Sequence, residues 1–255
     1  MKQSLSAFER LLEILNELRE KCPWDRKQTL ESLRKLTIEE TYELADAIVE
    51  KDMSAIKEEL GDLLLHIVFY AKIGEETNNF DITRVIDELN KKLVYRHPHV
   101  FAETEVADDE EVKQNWELLK QKKGNKPVLA GVPKSLPAMT KANRIQEKVR
   151  SSGFDWEQRV HVWDKITEEL DELKYEVENE NTADIEKEFG DFMFSVINAA
   201  RLYNIDPEIA LEKTNRKFIK RFEYIEQKAA QKNKSLQEMS LEEMDQIWEE
   251  AKNNE

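Results

Sequence analysis

The sequence predicts an all-α protein built from two similar helical units in tandem. Three observations support this prediction: the composition, the helical spacing of the apolar residues, and one acidic pattern that occurs twice. Of the 255 residues, 40% are hydrophobic and 36% are charged, and only 6 are glycine and 6 are proline. This profile is typical of helical soluble proteins. No alternating β-branched segment predicts a strand.

Composition and charge narrow the possible partners. The net charge of −15 argues against a general nucleic-acid binder, because neutralising phosphates requires clustered Lys and Arg. The single cysteine, Cys22, leaves no internal disulfide and no Cys/His zinc set. The longest apolar run, near Leu63 to Ala71, is interrupted by His66 and is too short to cross a bilayer. Charged residues also interrupt the first twenty positions, which argues against a signal peptide. We therefore expect a cytoplasmic protein with neither a membrane nor a nucleic-acid partner.

Apolar residues recur at helical spacing along most of the chain. A first helix over residues 5–21 ends at Cys22–Asp25, where Pro23 cannot continue a helix. Further helices are predicted from Leu30 to Ile48, after an N-cap at Ser54, from Asp81 to His97, and around Val112 to Lys122. Later helix starts are predicted at Asp206-Pro207 and at the capping box Ser240-x-x-Glu243. The helical pattern therefore extends through both halves of the chain.

A stretch rich in glycine and proline separates the two halves. Residues Gly124 to Pro137 contain three of the six prolines, which is typical of a linker. We therefore predict a first helical unit over residues 1–123, a linker over 124–140, and a second helical unit over 141–255.

The repeated acidic pattern is Glu-x-x-Glu followed by Glu-x-x-Asp. Its members are Glu40, Glu43, Glu59 and Asp62 and, 129 residues later, Glu169, Glu172, Glu188 and Asp191. Positions three apart share a helix face, so two neighbouring helices can direct four carboxylates to one point. The 19-residue gap from Glu40 to Glu59 recurs from Glu169 to Glu188, although the intervening residues differ almost completely. Because Mg²⁺ prefers hard oxygen ligands, the pattern predicts a magnesium site in each half.

The alternative is that these acids line a solvated helix face, which is the usual explanation of an isolated Glu-x-x-Glu in an acidic chain. The apolar residues after each Glu-x-x-Asp instead predict substantially buried helices, where unpaired carboxylates are costly. Gly61 and Gly190 stand inside these helices at a cost of about 1 kcal/mol each relative to alanine, which predicts close approach of a backbone or a ligand. A capping box at Thr37-x-x-Glu40 would explain Glu40 alone, but the second half has Ile166 where Thr37 stands.

Cationic residues follow each acidic pattern at matched spacing. Lys92 and Arg96 recur 125 residues later as Lys217 and Arg221. Alone, such pairs are ordinary solvated charge. Beside an acidic metal site they become candidate phosphate clamps, because Arg forks onto phosphate oxygens and Lys adds a point charge. Trp116 and Trp248 follow each pair, although tryptophan at such positions more often belongs to a core.

The ordered motifs of the chain resemble those of the MazG family of nucleoside triphosphate pyrophosphohydrolases. Besides both acidic sets, the motifs that carry the resemblance are Cys22-Pro23-Trp24-Asp25, Gln28-Thr29, Arg96-His97-Pro98-His99-Val100-Phe101, Gly131-Val132-Pro133-Lys134-Ser135-Leu136-Pro137 and Gly153-Phe154-Asp155-Trp156. They span essentially the whole chain. One departure is Leu30, which stands where the family usually has a histidine.

The resemblance implies an all-α fold of two tandem MazG-type repeats, each a four-helix-bundle-like unit, completed by homodimerisation. It implies Mg²⁺-dependent hydrolysis of (d)NTPs to (d)NMP and pyrophosphate, with Mn²⁺ as a possible substitute and broad base specificity. It also implies roles for the matching residues. The metal ligands of the second repeat would be Glu169, Glu172, Glu188 and Asp191, and their equivalents in the first repeat are Glu40, Glu43, Glu59 and Asp62. The substrate contacts of the second repeat would be Lys165, Lys187, Lys217, Arg221 and Trp248. A second possible substrate clamp in the first repeat would be Lys92, Arg96 and Trp116. Glu168, or Glu39, is a candidate general base. We expect the second repeat to be the catalytic one.

Two other functions fit parts of the pattern. A ferritin-like di-iron protein needs Glu-x-x-His pairs on its bundle helices, and the sequence has none. A non-catalytic acidic helical module that binds or regulates a partner remains the alternative outside enzymes.

Overall fold

The computed structural model of the protein consists of helices joined by turns and loops in the residues that it describes. These are residues 2–102, 106, 108, 111–112, 115–116, 119, 127–150, 152–154 and 160–254. The helices are α1 (Lys2–Lys21), α2 (Leu30–Glu50), α3 (Met53–Glu76), α4 (Ile82–Arg96), α5 (Pro98–Phe101), α6 (Ala138–Arg150), α7 (Val160–Glu178), α8 (Thr182–Leu202), α9 (Pro207–Gln231) and α10 (Leu241–Asn253). The described residues include no strand, which confirms the all-α prediction. None of these helices is long and apolar enough to cross a membrane.

The chain divides into two compact units, Met1–Trp116 and Glu117–Glu255. Part of the glycine- and proline-rich stretch, including Gly124, lies outside the described residues, as does most of the predicted helix around Val112 to Lys122. Within the described part, a 3₁₀ turn at Val128–Gly131 lies against α6, where Lys148 Nζ donates to the Val128 carbonyl at 3.3 Å. The predicted boundaries 1–123, 124–140 and 141–255 stay a prediction.

The core of the first unit forms where α1, α2 and α3 meet. Its buried members are Leu15 of α1, Leu33 of α2, and Val68, Phe69 and Ile73 of α3. Leu33 lies on the helix face next to Leu36 and Thr37, and the Thr37 hydroxyl is 2.7 Å from the Tyr70 hydroxyl of α3. Thr37 therefore sits inside α2 and not at a cap, since the N-cap of this helix is Thr29. The capping-box explanation of Glu40 is wrong.

Arg19 stabilises the turn that follows the break at Pro23 and leads into α2. Its guanidinium donates to the carbonyls of Asp25 and, at 3.1 Å, of Gln28. It also forms a two-pronged ion pair with Glu76 of α3, with both N–O distances 2.8 Å, and lies over the Phe69 ring. One side chain thus satisfies the carbonyls of the turn and ties that turn to α3.

A tight turn joins α2 to α3 and sets the spacing of the acidic pattern. Lys51 ends α2 in the left-handed conformation, with φ 59°, and Asp52 accepts hydrogen bonds from the Ser54 and Ala55 amides. The N-cap is therefore Asp52 and not the predicted Ser54, because the left-handed residue leaves only one position before α3 begins. In the second unit the equivalent residue, Glu180, has φ 55°. The same turn in both units gives both the same 19-residue spacing.

In the second unit, α8 lies against α6, α7 and α9, and α10 packs on α9. Ile225, Ala229, Met239 and Ile247 form a buried cluster between α9 and α10. The predicted helix starts are confirmed: the Asp206 carboxylate accepts from the Ile209 amide, and Ser240 and Glu243 form the capping box. These helices carry the side chains of the candidate sites.

Candidate metal centres

Three carboxylates of the second unit converge across the α7–α8 hairpin. Glu169 and Glu172 lie one turn apart on α7, and Glu188 lies on α8. One carboxylate oxygen from each lies within 4.8 Å of the others. We call Glu169, Glu172 and Glu188 the second acidic trio.

Burial makes this trio unlike a solvated helix face. The exposed fraction of Glu169 and of Glu188 is only 7%. Glu188 Oε2 is completely buried and has no hydrogen-bond partner among the described residues. A buried carboxylate oxygen without a partner is costly, so this atom calls for a ligand. The flanking apolar residues are less buried than predicted, since Met193 and Phe194 are exposed.

Two lysines contact the second acidic trio. Lys165 Nζ lies 2.7 Å from Glu169 Oε1 and 2.9 Å from Glu168 Oε1. Lys187 Nζ lies 2.6 Å from Glu188 Oε1 and 3.7 Å from Asp191 Oδ2. The carboxylates raise the pKa of both ammonium groups, through hydrogen bonds to Glu169 and Glu168 for Lys165 and chiefly to Glu188 for Lys187. Both lysines therefore stay charged at neutral pH.

The first unit has an equivalent trio on the α2–α3 hairpin. Glu40, Glu43 and Glu59 bring their carboxylate oxygens within the same 4.8 Å. Burial, followed by the charges of neighbouring acids, raises the pKa of Glu40 and of Glu59 above the ordinary value. Glu59 Oε2 is buried without a partner, like its counterpart in the second unit. We call Glu40, Glu43 and Glu59 the first acidic trio.

The two trios differ in the residues around them. At the positions of Lys165 and Lys187, 129 residues earlier, the first unit has Leu36 and Glu58. Leu36 packs against the core of the first unit, and Glu58 adds a negative charge that raises the pKa of Glu59. The second trio thus has cationic partners at two positions where the first unit has an apolar and an acidic residue.

The fourth member of each acidic pattern lies outside the trio. Asp62 and Asp191 stand one helical turn beyond Glu59 and Glu188, but neither has an oxygen within the 4.8 Å group. Asp62 is close enough for its charge to raise the pKa of Glu40, and Asp191 lies near Lys187. The sequence predicted four converging carboxylates, and the structure brings three of them together.

Cationic and aromatic side chains meet on α9 and α10. The Arg221 guanidinium lies 5.4 Å from the centre of the Trp248 ring, and the Phe218 ring is 5.0 Å from Trp248. Lys217 precedes Phe218 on α9 and is exposed. Trp248 also packs against the buried cluster between α9 and α10, so it is partly a core residue, as the sequence suggested. Phe218 was missed by sequence reasoning because a single phenylalanine on an amphipathic helix carries no signal of its own.

The first unit repeats this arrangement in part. The Arg96 guanidinium lies 6.0 Å from the centre of the Trp116 ring, and the His97 ring centre lies 6.2 Å from it at a tilt of 40°. Lys92 lies on α4, one turn before Arg96. The matched Arg–Trp pairs show that the 125-residue spacing reflects equivalent structure in both units.

The carboxylate sets fit a divalent cation. Oxygen ligands of one Mg²⁺ lie about 2.0–2.1 Å from it and so roughly 3–4 Å from one another, and the oxygens of each trio, within 4.8 Å of one another, are close to that spacing. The partnerless oxygens of Glu59 and Glu188 supply the independent sign that a ligand belongs there. Glu169, Glu172 and Glu188, or Glu40, Glu43 and Glu59, are the residues that could hold the ion.

An all-α chain of two like units, each with a carboxylate trio suited to a metal ion, defines a tandem-repeat helical protein with paired acidic sites. The model of the MazG nucleotide pyrophosphohydrolase domain matches it twice, over residues 28–101 and 161–225. The chain belongs to the MazG family.

Full-length relatives agree with this assignment. The chain is 45% identical to "Nucleoside triphosphate pyrophosphohydrolase/pyrophosphatase MazG" of Thermotoga maritima, covering 99% of this chain and 98% of the relative. It is 38% identical to "Nucleoside triphosphate pyrophosphohydrolase" of Escherichia coli K12, covering 98% and 99%. Among solved structures, a mazG-related protein from Thermotoga maritima matches 44% of this chain and 98% of its own, at 31% identity and a TM-score of 0.40.

Proposed function

We propose that the protein is a Mg²⁺-dependent nucleoside triphosphate pyrophosphohydrolase, which converts (d)NTPs to (d)NMP and pyrophosphate. Membership of the MazG family makes the chain a hydrolase acting on phosphoric anhydrides. The observation that carries the proposal for this chain is the second acidic trio with Lys165 and Lys187 in contact with its acids. Carboxylates to hold a hard cation and ammonium groups to meet phosphate oxygens are the two elements that a polyphosphate site needs.

The metal would be held by Glu169, Glu172 and Glu188, with Asp191 one turn further along α8. Bound there, Mg²⁺ would offset part of the negative charge of the triphosphate and make the attacking water more acidic. Mn²⁺ has the same preference for carboxylate oxygens and would serve as a substitute. The first acidic trio is a second candidate for the same ions.

The triphosphate would be held by the cationic residues around the second trio. Lys165 and Lys187 lie within reach of the carboxylates and so within reach of phosphate oxygens that approach the same ion. Arg221 offers two parallel donors for a phosphate, and Lys217 adds a point charge on the same helix. In the first unit, Lys92, Arg96 and Trp116 form the equivalent candidate clamp.

Hydrolysis breaks the anhydride bond between the α- and β-phosphorus atoms. Glu168 is the candidate general base, because its carboxylate is largely exposed and lies beside the trio through Lys165. It would accept the proton of the attacking water, and Lys or Arg would stabilise the negative charge that develops on the phosphate oxygens. Attack at either phosphorus yields nucleoside monophosphate and pyrophosphate.

Broad base specificity fits the aromatic residues near Arg221. Trp248 and the exposed Phe218 offer ring faces, and every nucleobase has a face that can stack on them. Stacking does not read the hydrogen-bonding edge of a base. We therefore expect purine and pyrimidine triphosphates to be cleaved at comparable rates.

We also propose that the protein works as a homodimer. Leu60, Leu64 and Ile67 form an exposed apolar stripe on α3, and Phe189, Met193 and Val196 form the equivalent stripe on α8. Gly61 and Gly190 stand beside these stripes. Apart from the adjacent residues and the backbone of the same helix, no atom of the described residues comes within 4 Å of the position where a Cβ would lie. The close approach that the sequence predicted at these glycines is therefore not made within either unit, and a second copy could make it.

Sedimentation equilibrium is expected to give twice the 30.1 kDa chain mass at micromolar concentration, and a single-chain mass would contradict the proposed homodimer.

The direct test of the proposed function is pyrophosphate release from a panel of eight (d)NTPs, with Mg²⁺ and with a chelator. We expect release from all eight with Mg²⁺, and at most about a thousandth of that rate with the chelator. Release from none of the nucleotides would favour a non-catalytic acidic module that binds a partner.

In the same assay, Arg221→Met is expected to lower kcat/KM by about 100-fold through a lost phosphate contact.

A further inference from the structure

Each lysine of the second repeat holds one oxygen of a buried member of the second acidic trio. Lys165 Nζ is 2.7 Å from Glu169 Oε1, and Lys187 Nζ is 2.6 Å from Glu188 Oε1. Glu169 and Glu188 are the two buried members of the second acidic trio. An ammonium group at this distance donates to a carboxylate lone pair and repels a divalent cation that approaches the same carboxylate.

The first acidic trio has no such competitor on the equivalent positions. Leu36 cannot donate a hydrogen bond, and Glu58 adds negative charge beside Glu59. The ionised carboxylates of the first trio repel one another until a proton or a cation neutralises them. The same three carboxylates are thus set in opposite electrostatic surroundings in the two repeats.

We propose that Lys165 and Lys187 keep the second acidic trio closed to divalent cations until the phosphate oxygens of a triphosphate bind the two ammonium groups. The first acidic trio binds a divalent cation without a nucleotide. This inference rests on the proposed function for the identity of the triphosphate. In it the two lysines are positioning residues that couple metal entry to substrate entry. The metal would enter the second repeat with the nucleotide, and the first repeat would hold its metal in the resting enzyme.

The first test removes the lysines and measures metal binding without nucleotide. The full chain carrying Glu40→Gln and Glu59→Gln, which disables the first trio, is titrated with Mn²⁺ while electron paramagnetic resonance records the unbound ion. Adding Lys165→Met and Lys187→Met is expected to tighten Mn²⁺ binding by at least about tenfold, because two charge-assisted hydrogen bonds to the ligands disappear. Lys174→Met is the matched control, because it removes one positive charge from α7 at a lysine that pairs with Asp171, outside the trio.

An unchanged Mn²⁺ affinity after removal of both lysines would overturn the proposal. A gain in binding free energy from the Lys174→Met control that is half or more of the gain from removing both lysines would overturn it too, because the effect would then follow the number of positive charges removed. Both lysine side chains are more than a third exposed, so their replacement leaves the core of the unit intact.

The second test installs a lysine beside the first trio. In a chain whose second trio is disabled by Glu169→Gln and Glu188→Gln, Glu58→Lys is expected to weaken Mn²⁺ binding by at least about tenfold. Glu9→Lys makes the same charge reversal on an exposed position of α1 and is expected to change the affinity by less than about threefold. Equal affinities in the two variants would contradict the role assigned to this position.

Both titrations contain no nucleotide, so they separate this inference from the proposed function. Suppose that removing the lysines tightens Mn²⁺ binding but the wild-type chain cleaves no triphosphate. The contact of the lysines with the metal site would then be upheld. The hydrolase function, and the triphosphate as the ligand that displaces the lysines, would both be rejected. If the protein releases pyrophosphate but its Mn²⁺ affinity is the same with and without the two lysines, this inference is rejected and the proposed function stands.

Discussion

The Glu172→Gln variant is expected to lose at least about a thousandfold in kcat for pyrophosphate release. The substitution keeps the size of the side chain and removes one negative charge from the second acidic trio. Glu172 is the exposed member of that trio, so the helix and the core around it should be unaffected. Initial rates with saturating Mg²⁺ and nucleotide measure the loss, and far-ultraviolet circular dichroism should show unchanged helicity.

Glu43→Gln is the matched control, since Glu43 is the equivalent residue of the first repeat. We expect this variant to keep more than about half of the wild-type rate, because the second repeat combines the buried trio with Lys165 and Lys187. Wild-type activity in Glu172→Gln would show that the second repeat is not the catalytic one. A large loss in Glu43→Gln alone would assign the reaction to the first repeat.

The Arg19→Met variant is expected to lower the free energy of unfolding of the first unit by about 2–4 kcal/mol. The Arg19 side chain is only 12% exposed and satisfies two carbonyls of the turn as well as Glu76. Methionine keeps the apolar stem over Phe69 but leaves these acceptors without their donor. Urea unfolding followed by circular dichroism measures the change.

Lys21→Met serves as the control, because Lys21 forms an exposed ion pair with Glu17 on the same helix. The Lys21→Met variant should lower the free energy of unfolding by less than about 0.5 kcal/mol.

Arg19 lowers the pKa of Glu76, so their pair stabilises the protein at neutral pH and loses that contribution as the pH falls through the lowered pKa. The difference between wild type and Arg19→Met should therefore shrink in acid, and a difference that is constant with pH would contradict the assignment to this pair.

Local signals in the sequence were enough to predict the helices. Asp206-Pro207 and Ser240-x-x-Glu243 start helices because a side-chain oxygen of the first residue accepts an amide hydrogen bond near the helix end. Ser54 was predicted as a cap but lies inside α3, since the left-handed Lys51 places Asp52 at the cap. A left-handed lysine leaves no mark in the sequence, so this boundary could not be read from residue types alone.

The candidate site was predictable only in part. The i, i+3 spacing and the repeated 19-residue gap identified Glu169, Glu172 and Glu188, because helix geometry converts spacing into a shared face. Helix geometry does not say how far the second member of Glu-x-x-Asp turns away, and the shorter Asp191 side chain ends outside the trio. The spacing also does not predict the contact between Lys187 and Glu188, because adjacent residues on a helix do not ordinarily face the same way.

The measurement that tests the central claim most directly is the ratio of pyrophosphate to orthophosphate formed from one triphosphate. It should be made by ³¹P NMR on the chain carrying Glu40→Gln and Glu59→Gln, so that only the second acidic trio remains. Hydrolysis between the α- and β-phosphorus atoms at this trio predicts pyrophosphate and nucleoside monophosphate in equal amounts, without orthophosphate. Orthophosphate with nucleoside diphosphate, or no product at all, would contradict it.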